Sequence, residues 1–230
     1  MILSHFHKFL FIKTAKTAGT SAVMYLASQC RDGDLVTELS QDEMDDARKN
    51  GFIFPGGLGS KLEQARLWWW KQQHGRARGR KVEKNLKAPD ARAFVGEQVW
   101  SGYYKFCFER NPYDKAISLY YFHNRDKAVK PELNEYIVGA DDRKLSNWYM
   151  YTIDGTVAVD HIYRFENLAD ELAAIAARFG MEIGSLPRAK TSSNQAKAHY
   201  SKLLGREARL RIEQACAKEI AYMGYRWEEA

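Results

Sequence analysis

Phe9-Leu10-Phe11-Ile12-Lys13-Thr14-Ala15-Lys16-Thr17-Ala18-Gly19-Thr20-Ser21 is the stretch from which the architecture follows. Four consecutive apolar residues, Phe9 to Ile12, fit a strand buried on both faces. The segment after them is short and rich in hydroxyls, and Ala22–Ala27 then reads as helix. A buried strand, a tight turn and a helix start aim unpaired backbone N–H groups at the space beyond the strand, a place suited to an anion. Gly19 lets the backbone come close, Thr20 and Ser21 add hydroxyl donors, and Lys16 supplies a mobile positive charge. The nucleotide-triphosphatase loop runs G-x-x-x-x-G-K-[ST], with its lysine after the glycine. Here Lys16 precedes Gly19 by three residues, so this is a different loop. A simpler reading, in which Gly19 only turns a strand into a Ser/Thr-capped helix, also accounts for the segment taken alone.

The second informative stretch is Phe108-Glu109-Arg110-Asn111-Pro112-Tyr113-Asp114-Lys115-Ala116-Ile117-Ser118. Tyr104–Glu109 reads as another buried strand, delivering Arg110 to its carboxyl end, and Pro112 suits the first turn of a helix running through Arg125. A guanidinium fork and the Ser118 hydroxyl on that helix can grip a phosphate together. Two anion sites on neighbouring strand ends suit a nucleotide with separate 5′ and 3′ phosphates.

The rest of the chain alternates in the same manner. Ser40-x-x-Glu43 and Ser60-x-x-Glu63 have capping-box spacing, the second leading a helix with Trp68-Trp69-Trp70, and the glycine-rich Gly51–Gly59 lies between them. Residues 75–88 read as an exposed basic loop, and Pro89 opens a brief helix ending near Gly96. Helices are expected near 131–138 and 141–152, and a third strand at His161–Phe165. An alanine-rich helix then spans Glu166–Phe179, stopped by Gly180, and a last one spans 201–223. The expectation is one α/β domain over residues 1–230: three layers, a central mostly parallel sheet flanked by helices, and ligands at the carboxyl ends of the strands.

Composition narrows the class of function. With 45% hydrophobic and 28% charged residues, 230 residues close a sizeable core without disulfides or metals. Cys30, Cys107 and Cys216 are far apart and form no C-x-x-C pair, which argues against a cysteine zinc site and fits a reducing cytoplasm. No export signal and no apolar run long enough to cross a membrane is evident. The net charge of +6 points to anionic partners, with the excess gathered in residues 71–87. His5 and His7 share strand spacing but lack a third ligand.

The paired motifs resemble a known family. K-T-A-G-T-S after the first strand, with Y-Y-K-F-C-F-E-R-N-P-Y-D-K-A-I-S-L-Y-Y-F about ninety residues on, resembles the sulfotransferases that use 3′-phosphoadenosine 5′-phosphosulfate (PAPS). The likeness is to the carbohydrate and Golgi-type branch, which includes heparan sulfate 2-O- and chondroitin sulfotransferases and bacterial relatives. Tyr163-Arg164-Phe165-Glu166-Asn167-Leu168 and Tyr222-Met223-Gly224-Tyr225 agree with it. The resemblance implies a three-layer fold like that of the P-loop NTPases. In it, Lys16, Thr17, Ala18, Gly19, Thr20 and Ser21 hold the 5′-phosphosulfate, and Arg110 and Ser118 hold the 3′-phosphate. Lys190, Thr191 and Ser192 would close over the nucleotide, and no metal is needed.

By analogy with phosphoryl transfer, positioning and electrostatics carry such a reaction, with Lys16 neutralising charge on the leaving phosphate. Relatives place a histidine base in an H-x-x-A segment, where this chain has Asn85-Leu86-Lys87-Ala88. Glu97, just after the following helix, is the expected base in its stead, with Lys87 and His123 as other candidates. The acceptor is expected to be a glycan, a glycolipid or a small hydroxylated molecule, with Trp68–Trp70 and the basic run beside them a candidate groove for it. Nucleic acid is not expected. The rival readings are a nucleotide kinase and a non-enzymatic polyanion binder built on Trp68–Lys87.

Overall fold

The computed structural model describes residues 1–17, 19–37, 61–77, 86–182 and 198–230, the side chains of residues 19–21, 63 and 74–77 excepted. The Ser40 capping box, the Gly51–Gly59 stretch, Ala18, Asn85 and Lys190–Ser192 lie outside the described residues. The three expected strands form as Phe9–Phe11 (β2), Tyr104–Glu109 (β4) and His161–Arg164 (β7). Ile2–Ser4 (β1) and Leu35–Val36 (β3), too short to stand out as apolar runs, join them. The sheet order is β3-β1-β2-β4-β7. β1 is antiparallel to both its neighbours, whereas β2, β4 and β7 are mutually parallel, so four strands of the five share one direction. A separate hairpin pairs Thr152–Ile153 (β5) with Thr156–Val157 (β6).

Side chains alternate across the sheet, and both faces are covered. Leu3, Leu10, Ile12, Cys107 and Ile162 point to one layer. There they meet Trp70 of helix α2 (Lys61–Ala77), Phe94 of α3 (Ala88–Val95) and Trp100 of α4 (Glu97–Gly102). Ile2, Phe9, Phe11, Phe106 and Phe108 point to the other, against α1 (Gly19–Ser28) and the Leu172–Ile175–Ala176 stripe of the later helix Leu168–Phe179. Each of these buried phenylalanines contributes roughly 1.5–3 kcal/mol, which is what holds the three layers together. The architecture is the expected three-layer α/β arrangement.

Helix α5 (Pro112–His123) starts where Pro112 and the Asn111 side chain place it, the Asn111 amide oxygen accepting from the Tyr113 N–H at 3.0 Å. Helix α6 is Leu133–Val138. The expected helix over 141–152 is instead two pieces, α7 (Asp142–Leu145) and α8 (Trp148–Tyr151), parted at Ser146-Asn147. The alanine-rich helix α9 begins at Leu168, after a tight turn over Phe165–Asn167. The last helix is also divided, into α10 (Arg206–Ala215) and α11 (Ala217–Met223), with the Cys216 thiol turned to the Leu145 carbonyl at 3.4 Å. The division at Ser146-Asn147 has a tertiary cause. Glu219 of α11 accepts from the Ser146 hydroxyl and from the N–H groups of Asn147 and Trp148, capping α8 from outside. Among the described residues no helix is long and apolar enough to cross a membrane.

Candidate functional site

Strand register brings the two motifs together. Phe11 of β2 pairs with Phe106 of β4, and the Ile12 N–H donates to the Phe106 carbonyl at 2.9 Å. Beyond the strand the Thr14 hydroxyl donates to the Phe108 carbonyl at 2.5 Å, so the loop after β2 keeps following β4. Arg110, the residue after β4, and Lys16, in the loop after β2, thus leave the sheet from the same end. On the other flank Glu109 pairs with Arg164, which sets Phe165 level with Arg110. The Arg110 guanidinium carbon lies 4.5 Å from the Phe165 ring centre.

Lys16 sits in the left-handed region at φ 61°, a conformation a lysine adopts only where its surroundings impose it. Its ammonium lies 4.2 Å over the Phe122 ring, with Arg125 on the same ring at 5.3 Å. Ser118 precedes Phe122 by one helical turn on α5. Burial, then the charges of Arg110 and Arg125, bring Lys16 down to about 8. Burial likewise lowers Arg110, against the pull of Asp114, Glu166 and Tyr225. The Arg110 Nε is buried and has no hydrogen-bond partner among the described residues. Two desolvated cations therefore lie close enough for the charge of Arg110 to act on Lys16, Arg110 having Asp114 and Glu166 near it.

The floor beneath them is closed. Glu109 is fully buried and accepts from the Arg110 N–H, the Lys115 ammonium, the Asn147 amide and the Tyr151 hydroxyl. Burial pushes Lys115 down, and the charge and hydrogen bond of Glu109 with the charge of Glu219 outweigh it, so it stays an ammonium. Glu166 accepts from the Asn111 N–H at 2.6 Å and from the Tyr225 hydroxyl at 3.1 Å. Arg164 donates to the Met223 carbonyl. The R-F-E-N-L segment and the Tyr222–Tyr225 end thus meet behind Arg110.

Not every residue singled out in the sequence joins this cluster. The Thr17 hydroxyl is buried and paired with the Thr14 hydroxyl at 2.8 Å, so it shapes the loop from within. Gly19, Thr20 and Ser21 form the first turn of α1. The Glu97 carboxylate is 65% exposed and paired with Arg92 at 2.9 Å, on an element leading into the amino end of β4. That location removes the reason for expecting a base there, because Lys16 and Arg110 lie at the carboxyl end. His123 is nearer: burial, Lys144, Lys16 and Lys127 lower it, and its Nδ1 is 2.5 Å from the Tyr136 hydroxyl. Trp70 packs inward while Trp68 and Trp69 are exposed. Phe122 is half exposed and carries Lys16 on its ring. His5 and His7 bond Tyr103, Phe179 and Gln29, and no metal-binding group is found among the described residues. Asn147 and Phe165 are part of the site's frame without having been flagged as such in the sequence. Their roles arise from register and from the α7–α8 break, which local pattern does not encode.

A scan against models of known protein families gives no match. Among curated proteins the chain is 31% identical over 114 residues to an uncharacterized protein of Archaeoglobus fulgidus, covering 92% of that protein and 48% of this chain. The chain belongs to the family of that archaeal protein. Membership brings no activity with it. Among solved structures the crystal structure of a sulfotransferase from Alicyclobacillus acidocaldarius aligns with 94% of this chain and 96% of its own, at 13% identity and a TM-score of 0.46. A score and identity that low decide nothing about chemistry.

Proposed function

We propose that the chain is a cytoplasmic sulfotransferase, using PAPS as donor and a glycan, glycolipid or small hydroxylated molecule as acceptor. The observation that carries the reading is the convergence of Lys16 and Arg110, two desolvated cations of which one has an orphaned buried Nε. An adenosine bearing phosphates at both ends supplies what the site lacks, so the residues present fit it. On this reading the first turn of α1 and Lys16 hold the 5′ end, Arg110 and Ser118 hold the 3′-phosphate, and Lys190–Ser192 close over it.

The donor, when bound, supplies a sulfuryl group on a phosphate oxygen; an S–O bond to the acceptor forms as the S–O bond to phosphate breaks. Lys16 neutralises the charge that grows on the departing phosphate, in a place where burial strengthens the interaction. Arg110 and the α1 start fix the nucleotide, converting encounter into alignment. His123 takes the acceptor proton in place of Glu97. Its lowered titration keeps it neutral at neutral pH, and the Nδ1 contact with the Tyr136 hydroxyl orients the ring.

Calorimetry with adenosine 3′,5′-bisphosphate, with ATP and Mg²⁺, and with a single-stranded oligonucleotide tests the reading. Binding of the bisphosphate alone, followed by transfer of labelled sulfate to a member of a hydroxylated acceptor panel, is the expected result. Preference for ATP with Mg²⁺ makes it a kinase. Salt-sensitive binding of the oligonucleotide alone makes it a polyanion binder.

A further inference from the structure

Lys16 owes its place to a residue 131 positions away in the chain. The Asn147 side chain is 2% exposed and meets the loop after β2 at Ala15, the residue before Lys16. Its amide oxygen accepts from the Ala15 N–H at 3.2 Å, and its amide nitrogen donates to the Ala15 carbonyl at 3.0 Å. A primary amide that both donates to and accepts from one residue reproduces the pairing of a neighbouring strand. The other amide hydrogen goes to Glu109 at 3.1 Å. Asn147 is itself fixed, because its backbone N–H donates to Glu219 at 2.9 Å and Glu109 is held by Lys115 and Tyr151. Every donor and acceptor of the side chain thus works toward one outcome: Ala15 cannot shift along or away from β4.

We propose that Asn147 is a positioning residue for Lys16, a backbone clamp that holds the loop in the left-handed turn from which the ammonium reaches over Phe122. No other side chain among those described for this purpose substitutes for it in shape: aspartate lacks the two N–H donors, glutamine is a methylene too long, and alanine leaves Ala15 and Glu109 unpaired. The clamp also ties the loop to the carboxyl-terminal helix α11 through Glu219. The kinetic consequence rests on the function proposed above; the clamp itself does not.

The test reads Lys16 directly. In the full chain, with ¹³C-labelled lysine side chains, or with acetylation at graded pH followed by peptide mass mapping, Lys16 is expected to titrate near 8, with Arg110, Arg125 and His123 the charged groups facing it. In Asn147→Ala and in the near-isosteric Asn147→Leu, the midpoint is expected to move up toward the ordinary lysine value of 10.5 as the loop carries the ammonium into water, with the fold intact by circular dichroism. An unchanged Lys16 midpoint in either folded variant overturns the clamp. Should both variants fail to fold, amide exchange in the unaltered chain decides. Protection of the Ala15 N–H well above the free-peptide rate supports the clamp, and exchange at that rate overturns it. If transfer is present, the same variants lower kcat at least tenfold with less change in KM. If the unaltered chain transfers no sulfate yet Lys16 responds as stated, the sulfotransferase reading fails and the clamp stands.

Discussion

The two ends of the sheet hold similar residues in opposite states. At the amino end Asp34 is fully buried and accepts from the Ser4 hydroxyl and from the N–H groups of His5, Phe6 and Arg31. His5 bonds the Tyr103 hydroxyl, and His7 spans the carbonyls of Phe179 and Gln29. At the carboxyl end Glu109 is equally well satisfied, yet above it Lys16 and Arg110 repel one another and the Arg110 Nε is bonded to nothing described. The lesson is one of completeness. An end whose polar groups all find partners within the chain is framework, while leftover positive charge over a satisfied floor is a place that an anion completes.

Five measurements break or sharpen that contrast. The largest effect is expected at the framework end: Asp34→Ala strips four donors of a buried carboxylate and is expected to cost about 4 kcal/mol in denaturant unfolding, at the low end of about 1–3 kcal/mol for each donor left unsatisfied. Nucleotide affinity in any variant that still folds should be unaltered. Lys16→Ala is the mirror image, with turnover lowered on the order of 10²–10³ and unfolding free energy preserved or raised. Full turnover in that variant removes Lys16 from the chemistry. Arg110→Lys, which keeps the charge but loses the planar fork over Phe165, should weaken adenosine 3′,5′-bisphosphate about tenfold, ~1.4 kcal/mol.

The fourth is a pH dependence. Lys16 titrates near 8 in the fold and near 10.5 ordinarily, so between those values the unfolded chain binds more protons and this group makes folding more favourable as pH rises. Anion binding has the opposite sign: affinity for the bisphosphate should fall as pH climbs through about 8, and Lys16→Ala should flatten that fall. Smallest of all is Glu97→Gln. The Arg92–Glu97 pair is exposed on both sides, so stability should change by under about 0.5 kcal/mol and turnover not at all. A large loss of turnover there restores Glu97 as the base.

Much of the fold was legible locally. Phe9–Ile12 and Phe106–Phe108 are apolar because both sheet faces are covered, and that requirement leaves its mark on consecutive residues of a buried strand. Gly180 ends its helix in the left-handed conformation, as a glycine stop should. The breaks at Ser146-Asn147 and at Cys216 were not legible: the first depends on Glu219, far along the chain, and no glycine or proline announces the second. The candidate site divides the same way. Lys16 and Arg110 stand out by motif and charge, whereas Asn147 lies outside every motif, and Phe122 and Phe165, though inside quoted motifs, acquire their roles from what packs beside them.

The sequence by itself determined the three parallel strands β2, β4 and β7, that the loop after β2 carries a lysine ahead of its glycine, and that an arginine follows β4. Only the tertiary structure decided that β2 and β4 are parallel neighbours, that their register sets Arg110 beside the Lys16 loop, and that Asn147 pins that loop from a helix start capped by α11. The physical reason is range. Hydrophobic period and turn chemistry act over a few residues and are written where they act, while register, desolvation and charge repulsion exist only between surfaces that folding has already brought together.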